Sequence, residues 1–331
     1  MALPESAGRG RPRPALRLVE TKSLSREDWL SVRKNGIGGS DAAAAVGLSP
    51  FQSPLELWLI KTGRDTNLPK PDANDTTEPV YWGTLLEPIV AASYTKQTGN
   101  RVRRVNAVLQ HPTIPFMLAN IDREVIGNRD VQLLECKTAG EFGARLWRDG
   151  VPEYALLQIQ HQLAVTGRQA ADVAVLLCGQ KLEVHRIERD DALIARLIEL
   201  EVAFWHYVET DRPPPADGSD SADRALRCLY RGAGGTVDFS DDRSLSSTFA
   251  DLVAVRTEIE GRQAIESKLK QTIQQAMGEA DRAEFETGSV SFKRSRDSAG
   301  IDLQRLLVDH PALAAQYAIT KPGSRRFLMN S

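Results

Sequence analysis

The sequence predicts an α/β protein, with a central mixed sheet flanked by helices and a mainly helical C-terminal extension. Three observations carry this. Helical and strand-like periodicities follow one another as helices, a strand meander, a helix, a strand pair and a helix. The phosphate-cradling pattern G-x-x-x-x-G-K-[ST] is absent, and the glycine turn from Gly36 to Gly39 opens a helix without the strand of a dinucleotide site, so a doubly wound nucleotide fold is disfavoured. At Asp211-Arg212-Pro213-Pro214-Pro215 the composition changes abruptly, which marks the best domain boundary.

The first fifteen residues mix Pro, Gly and Arg, and residues 1–24 read as a disordered lead. A domain over 25–210 begins at Ser25, whose Ser-x-x-Asp pattern caps a helix carrying Trp29, Leu30 and Val32. A second helix follows Ser40, and a third opens at Ser53-Pro54 and closes at Gly63. After a polar loop over 64–79, a helix near 81–98 places Leu85, Leu86, Ile89, Val90 and Tyr94 on one side. Strand-like pieces span 102–110, 116–126 and 131–138, then come a helix over 153–166, a strand pair turning at Gly179-Gln180, and a helix ending near His206. A linker over 211–243 leads to the extension, 244–331. There a long helix with a break at Gly261 precedes a strand at 289–293 and a last helix from about Asp302. From Ser289 onward seven Lys or Arg stand against three Asp, a basic tail on a chain of net charge −2.

That net charge gives no global attraction to a polyanion, so nucleic acid has to meet a local patch. The three cysteines, Cys136, Cys178 and Cys228, form no C-x-x-C pair, which fits a reducing compartment and disfavours a cysteine-rich zinc site. No apolar stretch approaches twenty residues, so a cytoplasmic protein without membrane contact is expected.

The chemistry centres on Asn120-Ile121-Asp122, followed thirteen residues after Asp122 by Glu135-Cys136-Lys137. On a strand Glu135 and Lys137 share one face and Cys136 takes the other. If the chain turns at Gly127–Asp130, Asp122 comes close to Glu135, and two adjacent carboxylates repel unless a divalent cation sits between them. Mg²⁺ prefers such hard oxygen ligands. A water made acidic by the metal attacks a phosphodiester, with lysine orienting it, deprotonating it or offsetting developing charge. This D-x(n)-E-x-K pattern is the signature of the PD-(D/E)xK nucleases, whose core is restriction-endonuclease-like. Surface hairpins also carry Asp, Glu and Lys, but Leu133-Leu134 before the pair mark a buried strand, where charges need partners.

From about Trp29 to Asp191 the chain resembles the YqaJ-like viral recombinase group of phage-type exonucleases. The matching blocks are RKNGIGGSDAAAAVGLSPFQSP, WGTLLEP, HPTIPFMLANIDREV, LLECKTA, VPEYALLQIQHQLAVTG and the IERDD segment. The resemblance implies that Asp122 and Glu135 bridge Mg²⁺, with Mn²⁺ able to substitute, and that the Cys136 carbonyl is a further ligand. It implies that Glu87 reaches the metals from a helix beside the sheet, that Lys137 is the catalytic lysine, and that Gln158 helps place the water or the scissile phosphate. Arg33 and Ser40 match positions that hold a 5′-phosphate. Read without the family, Glu87 is a solvent-facing glutamate and Ser40 an N-cap, while Arg101, Arg103 and Arg104 read equally as contacts to backbone phosphates or as a solvated strand edge. One departure stands out: Asp122 is followed by Arg123-Glu124 where the family commonly has glycine, with Arg123 expected on the opposite strand face.

The resemblance further implies 5′-to-3′ digestion of one strand of linear double-stranded DNA from its ends, a trimeric ring, and a single-strand annealing protein as partner in homologous recombination. The competing readings are an endonuclease with the same metal chemistry, and a catalytically inactive DNA-binding or assembly protein on the same fold. A glycosidase would need aromatic platforms near the carboxylate pair, and none is patterned there.

Overall fold

A computed structural model describes residues 15–232, 234–320, 323 and 325–329. The chain divides into one unit ending at Arg231 and a second beginning at Gly232. The first contains, in order, β1 (Leu16–Glu20), α1 (Arg26–Lys34), α2 (Gly39–Ala45), α3 (Pro54–Lys61), α4 (Pro79–Thr98), β2 (Arg101–Arg104), β3 (Ala107–Gln110), β4 (Leu118–Asn120), β5 (Arg123–Ile126) and β6 (Leu133–Ala139). It continues through α5 (Glu153–Thr166), β7 (Ala170–Leu177), β8 (Lys181–Glu188), α6 (Asp191–Glu209) and α7 (Asp220–Leu229).

A five-stranded sheet runs in the order β2-β5-β6-β7-β8. Only β6 and β7 pair in parallel, and α5 makes the crossover between them. On one face α4 packs Val90, Ala91 and Tyr94 against Val125, Leu134 and Ala174. On the other, Ile159 and Leu163 of α5 join Leu133, Val173 and Val175. This is the expected α/β, restriction-endonuclease-like layout, and strand alternation sends each β6 side chain to one helix or the other.

Each of the two long strand pieces read from the sequence is two strands in different sheets. β3 and β4 join β1 in a three-stranded sheet, while β2 and β5 belong to the large one. The chain therefore changes sheets at Ile121-Asp122, which places Asp122 at a junction.

The expectation of a disordered lead through residue 24 is corrected over Leu16–Glu20, where β1 pairs antiparallel with β3. Pairing satisfies the N–H and C=O groups on the edge of β3 without burying β1 side chains, so hydropathy gives no signal for it. Residues 1–14 lie outside the described residues. The linker over 211–243 is corrected at 220–229, where α7 docks on α3. Its Ser221 Oγ accepts from the Ser53 N–H at 2.8 Å and donates to Glu56 Oε2 at 2.8 Å, above fully buried Ala225. Serine and alanine allow that close approach, and they read as linker composition. The apolar side expected of the fourth helix is also divided, with Val90 and Tyr94 buried while Leu85 and Ile89 are exposed beside Trp82.

Before α2 the chain makes a parallel bridge between Ile37 and Met117, with Ile37 N–H donating to the Phe116 carbonyl at 2.7 Å and Leu118 N–H to the Ile37 carbonyl at 2.8 Å. Gly36 makes this approach feasible, since a Cβ there would strike the Phe116 carbonyl and lie 2.7 Å from Leu118 Cγ. Gly36→Ala is expected to cost about 1–3 kcal/mol or more by overpacking. Chemical denaturation checks this, and an unchanged midpoint would refute it.

The second unit holds α8 (Arg243–Met277), β9 (Arg282–Phe285), β10 (Gly288–Ser291), α9 (Leu303–Asp309) and α10 (Pro311–Gln316). β9 and β10 form a hairpin where one strand was expected. α8 runs through Gly261 without a break, because one interior glycine costs only about 1 kcal/mol of helix propensity.

Candidate active site

The antiparallel register pairs Arg123 with Leu134 and Glu124 with Leu133, so one step further Asp122 faces Glu135. The connecting turn uses Gly127 at φ 76°, and Asn128 Oδ1 accepts from the Asp130 N–H at 2.8 Å. Asp122 Oδ2 accepts from the Cys136 N–H at 2.9 Å, which ties the carboxylate to the neighbouring strand. The Cys136 side chain points the other way, into the cluster under α4, and burial pushes its thiol pKa up.

Glu135 and Lys137 face α5, as period two requires. Lys137 Nζ lies 2.9 Å from Glu135 Oε1 and donates to Gln158 Oε1 at 2.7 Å, while the Gln158 amide donates to Glu135 Oε1. One helical turn on, Gln162 Nε2 donates to Glu135 Oε2 at 2.9 Å. Gln162 was not singled out from the sequence. Its signal is the i, i+4 spacing from Gln158, which puts both amides on one helix face.

Burial pushes the Asp122 carboxyl up, and the charges of Glu135 and Glu87 push it further. The Cys136 N–H and Lys137 offset this only in part, so its pKa stands well above the usual carboxylate range. For Lys137 burial pulls downward, but Glu135 and Asp122 outweigh it and hold the ammonium above its ordinary value. The lysine therefore enters as a cation.

Glu87 projects from α4 and its Oε1 accepts a hydrogen bond from Arg123 Nη1, which also donates to the Asp122 carbonyl at 2.7 Å. Arg123 leaves the strand on the face away from Asp122, yet its buried guanidinium swings to the helix carboxylate. Arg123 thus keeps to the strand face expected of it, and from there it holds Glu87 in an ion pair. Among the described residues no cluster of three His, Cys, Asp or Glu side chains forms a ready metal cage. The donor set still fits a hard divalent cation. Asp122 and Glu135 are facing oxygen ligands, and burial together with the neighbouring charges of Glu135 and Glu87 disfavours the Asp122 carboxylate, a penalty that a cation would offset.

Arg33 and Ser40 meet at the start of α2. Arg33 Nη2 donates to Ser40 Oγ at 2.6 Å and to Asp41 Oδ1 at 2.9 Å, and its guanidinium stacks over Trp29. The N-cap of α2 is Gly38, not Ser40, whose hydroxyl stays exposed. Asp41 accepts from the Gly38 N–H and from buried Lys61 Nζ at 2.7 Å. Burial pushes its carboxyl up, but Lys61 and Arg33 win and hold it far below the usual range. Two polar residues of α5 take other duties. Gln160 braces the chain before α6 through the Glu188 carbonyl and the Asp190 N–H, and fully buried His161 links Glu201 to the Leu118 carbonyl. Neither touches the carboxylate pair.

Residues 28–169 match the family model of the YqaJ-like viral recombinase domain. The uncharacterized protein YqaJ of Bacillus subtilis (strain 168) is 40% identical over 217 residues, 64% of this chain and 66% of that protein, so the chain spans just under two thirds of its relative's length. Among solved structures, an alkaline exonuclease from Laribacter hongkongensis is similar at 28% identity, over 56% of this chain and 93% of that one, with a TM-score of 0.45. A phage related exonuclease from Haemophilus somnus 129PT is similar at 11% identity, over 55% and 97%, with a TM-score of 0.40.

Proposed function

We propose, from the match of residues 28–169 to the YqaJ-like viral recombinase domain and the 40% identity to YqaJ of Bacillus subtilis, that the chain is a Mg²⁺-dependent deoxyribonuclease. In this reading it is an exonuclease that hydrolyses phosphodiester bonds of linear double-stranded DNA from the 5′ end and leaves a 3′ single strand for recombination. The observation that carries the reading is the convergence of Asp122, Glu135, Lys137 and Gln158 at one point between β6 and α5. Asp122, Glu135 and the Cys136 carbonyl would hold the cation, with Glu87 contributing once released from Arg123. The bound cation would polarise the scissile phosphate and lower the pKa of a water.

The chain's own groups supply the rest. Lys137, kept protonated by Glu135, presents positive charge where the phosphate becomes more negative. Gln158 bridges Lys137 and Glu135 and so fixes the separation of cation and carboxylate. Arg33 and the exposed Ser40 hydroxyl would bind a terminal 5′-phosphate, with the charge-assisted fork of arginine giving the stronger bond. Asp41 neutralises part of Arg33, which limits the affinity for isolated phosphate and favours a ligand held by further contacts. We further propose a trimeric ring, which would enclose the product strand, and hand-over of that strand to a single-strand annealing protein. No helix among the described residues is long and apolar enough to cross a membrane, and a cytoplasmic site of action is part of the proposal.

The test is digestion of end-labelled linear duplex carrying a 5′-phosphate, with Mg²⁺ or EDTA, beside a covalently closed circle. Metal-dependent loss of the linear duplex alone, reduced at least about 10²-fold by Lys137→Ala, is expected. Cutting of the closed circle would make the protein an endonuclease. Equal inactivity of wild type and K137A would leave a DNA-binding or assembly role.

A further inference from the structure

The Gln162 amide nitrogen holds two groups at once. It donates to Glu135 Oε2 at 2.9 Å and, more weakly, to the Asn120 carbonyl at 3.4 Å. Glu135 lies on β6, and Asn120 ends β4, two residues before Asp122 at the sheet junction. A single side chain, 2% exposed, thus ties together the two chain segments that present the facing carboxylates. Its place is set from above by α2. A Cβ on Gly39 would lie 3.1 Å from Gln162 Cγ, 3.3 Å from Gln162 Nε2 and 3.3 Å from Gln158 Cγ. A side chain at position 39 would force the two glutamines to give by a few tenths of an ångström.

We propose that Gln162 is a positioning residue that sets the spacing of Asp122 and Glu135 for the cation, and that Gly39 is the clearance it requires. The inference rests on the nuclease reading above. It also joins two parts of the site, since Gly39 directly precedes Ser40 on the face proposed to receive the terminal phosphate. The contact is suited to this role because Gln162 is polar yet buried, and its donors meet acceptors on both strands. An apolar residue of equal length would fill the space and leave the carboxylates unlinked.

Outer partners of metal-holding groups typically carry 10–100-fold in metal affinity. Gln162→Met keeps the chain length and removes the amide. It is expected to weaken Mn²⁺ binding, followed by electron paramagnetic resonance without DNA, by about 10-fold or more. In the digestion assay kcat should fall similarly, with KM for duplex ends within about threefold. Gly39→Ala should weaken Mn²⁺ binding by about tenfold in the wild-type background, and by less than about threefold in Gln162→Ala, which lacks the struck Cγ. Circular dichroism melts establish that the variants are folded, and should Q162M not fold, the Gly39 comparison decides. Wild-type Mn²⁺ affinity and kcat in Q162M, or equal Gly39→Ala losses in both backgrounds, would overturn the inference while active wild type leaves the nuclease reading intact. Wild type that neither binds Mn²⁺ nor degrades DNA removes the nuclease reading itself.

Discussion

Asp122→Asn is expected to abolish duplex digestion and, in EDTA above neutral pH, to raise the melting temperature. The two effects have one origin. Asn retains an oxygen for the Cys136 N–H but removes the charge that burial, Glu135 and Glu87 all oppose. A carboxyl whose folded pKa is raised binds its proton more tightly in the native chain than in the unfolded one. Native stability therefore declines as pH rises from the ordinary carboxylate range through the raised folded value. The variant lacks that decline, so it should gain on wild type at pH 8 and converge with it near pH 4. Each kcal/mol regained should shift the melting point by about 2–4 °C. Loss of activity should exceed the 10²-fold or so that an outer-shell partner costs. Mg²⁺ should raise the melting point of wild type and leave Asp122→Asn unmoved. A variant less stable than wild type at pH 8 in EDTA would show that Asp122 is not electrostatically frustrated.

Asp41→Ala is expected to cost about 3–5 kcal/mol, the range for stranding one member of a buried ion pair. The Lys61 side chain is 3% exposed and has Asp41 Oδ2 at 2.7 Å as its counter-charge. Burial, with the charges of Arg33 and Lys34, pulls Lys61 below the ordinary lysine range even though Asp41 opposes it. The same substitution frees Arg33 and removes the acceptor for the Gly38 N–H, so α2 should loosen. Because the folded Asp41 pKa is depressed, its stabilisation is present above the ordinary value of 3.8 and disappears as pH falls toward the folded one. The gap between wild type and variant should therefore narrow in acid. Asp41→Asn combined with Lys61→Met should recover most of the loss, since both charges are then gone. Urea midpoints measure both, and a cost under about 1 kcal/mol for Asp41→Ala would refute the account.

The carboxylate pair and its lysine were legible in the sequence because their placement is local. Period-two alternation assigns Glu135 and Lys137 one face and Cys136 the other, and the Gly127–Asp130 turn brings Asp122 opposite Glu135. Neither step needs knowledge of distant chain. Gln162 was only half legible, for the opposite reason: its i, i+4 spacing from Gln158 gives the shared face but not what that face meets. In a helix bearing Gln158, Gln160, His161 and Gln162, polarity reads as a solvent face, whereas this stretch of α5 is buried. Its polar groups are satisfied by partners from β4, β6, the Glu188 carbonyl and α6, all remote in sequence. Arg123 shows the same limit. Strand alternation gave its face correctly, but the reach of a long guanidinium to Glu87 depends on where α4 crosses the face of the sheet.

The sequence by itself determined the kinds of elements, their order, and the hairpin that faces Asp122 with Glu135, because periodicity, caps and turns act over a few residues. Tertiary structure alone decided that two apparent strands divide between sheets, that β1 and α7 join the first unit, and that Gly39 admits two glutamines to Glu135. Those outcomes depend on backbone pairing, on small residues permitting close approach, and on buried polar groups finding partners far along the chain. None of these leaves a periodic mark in the residues that make them.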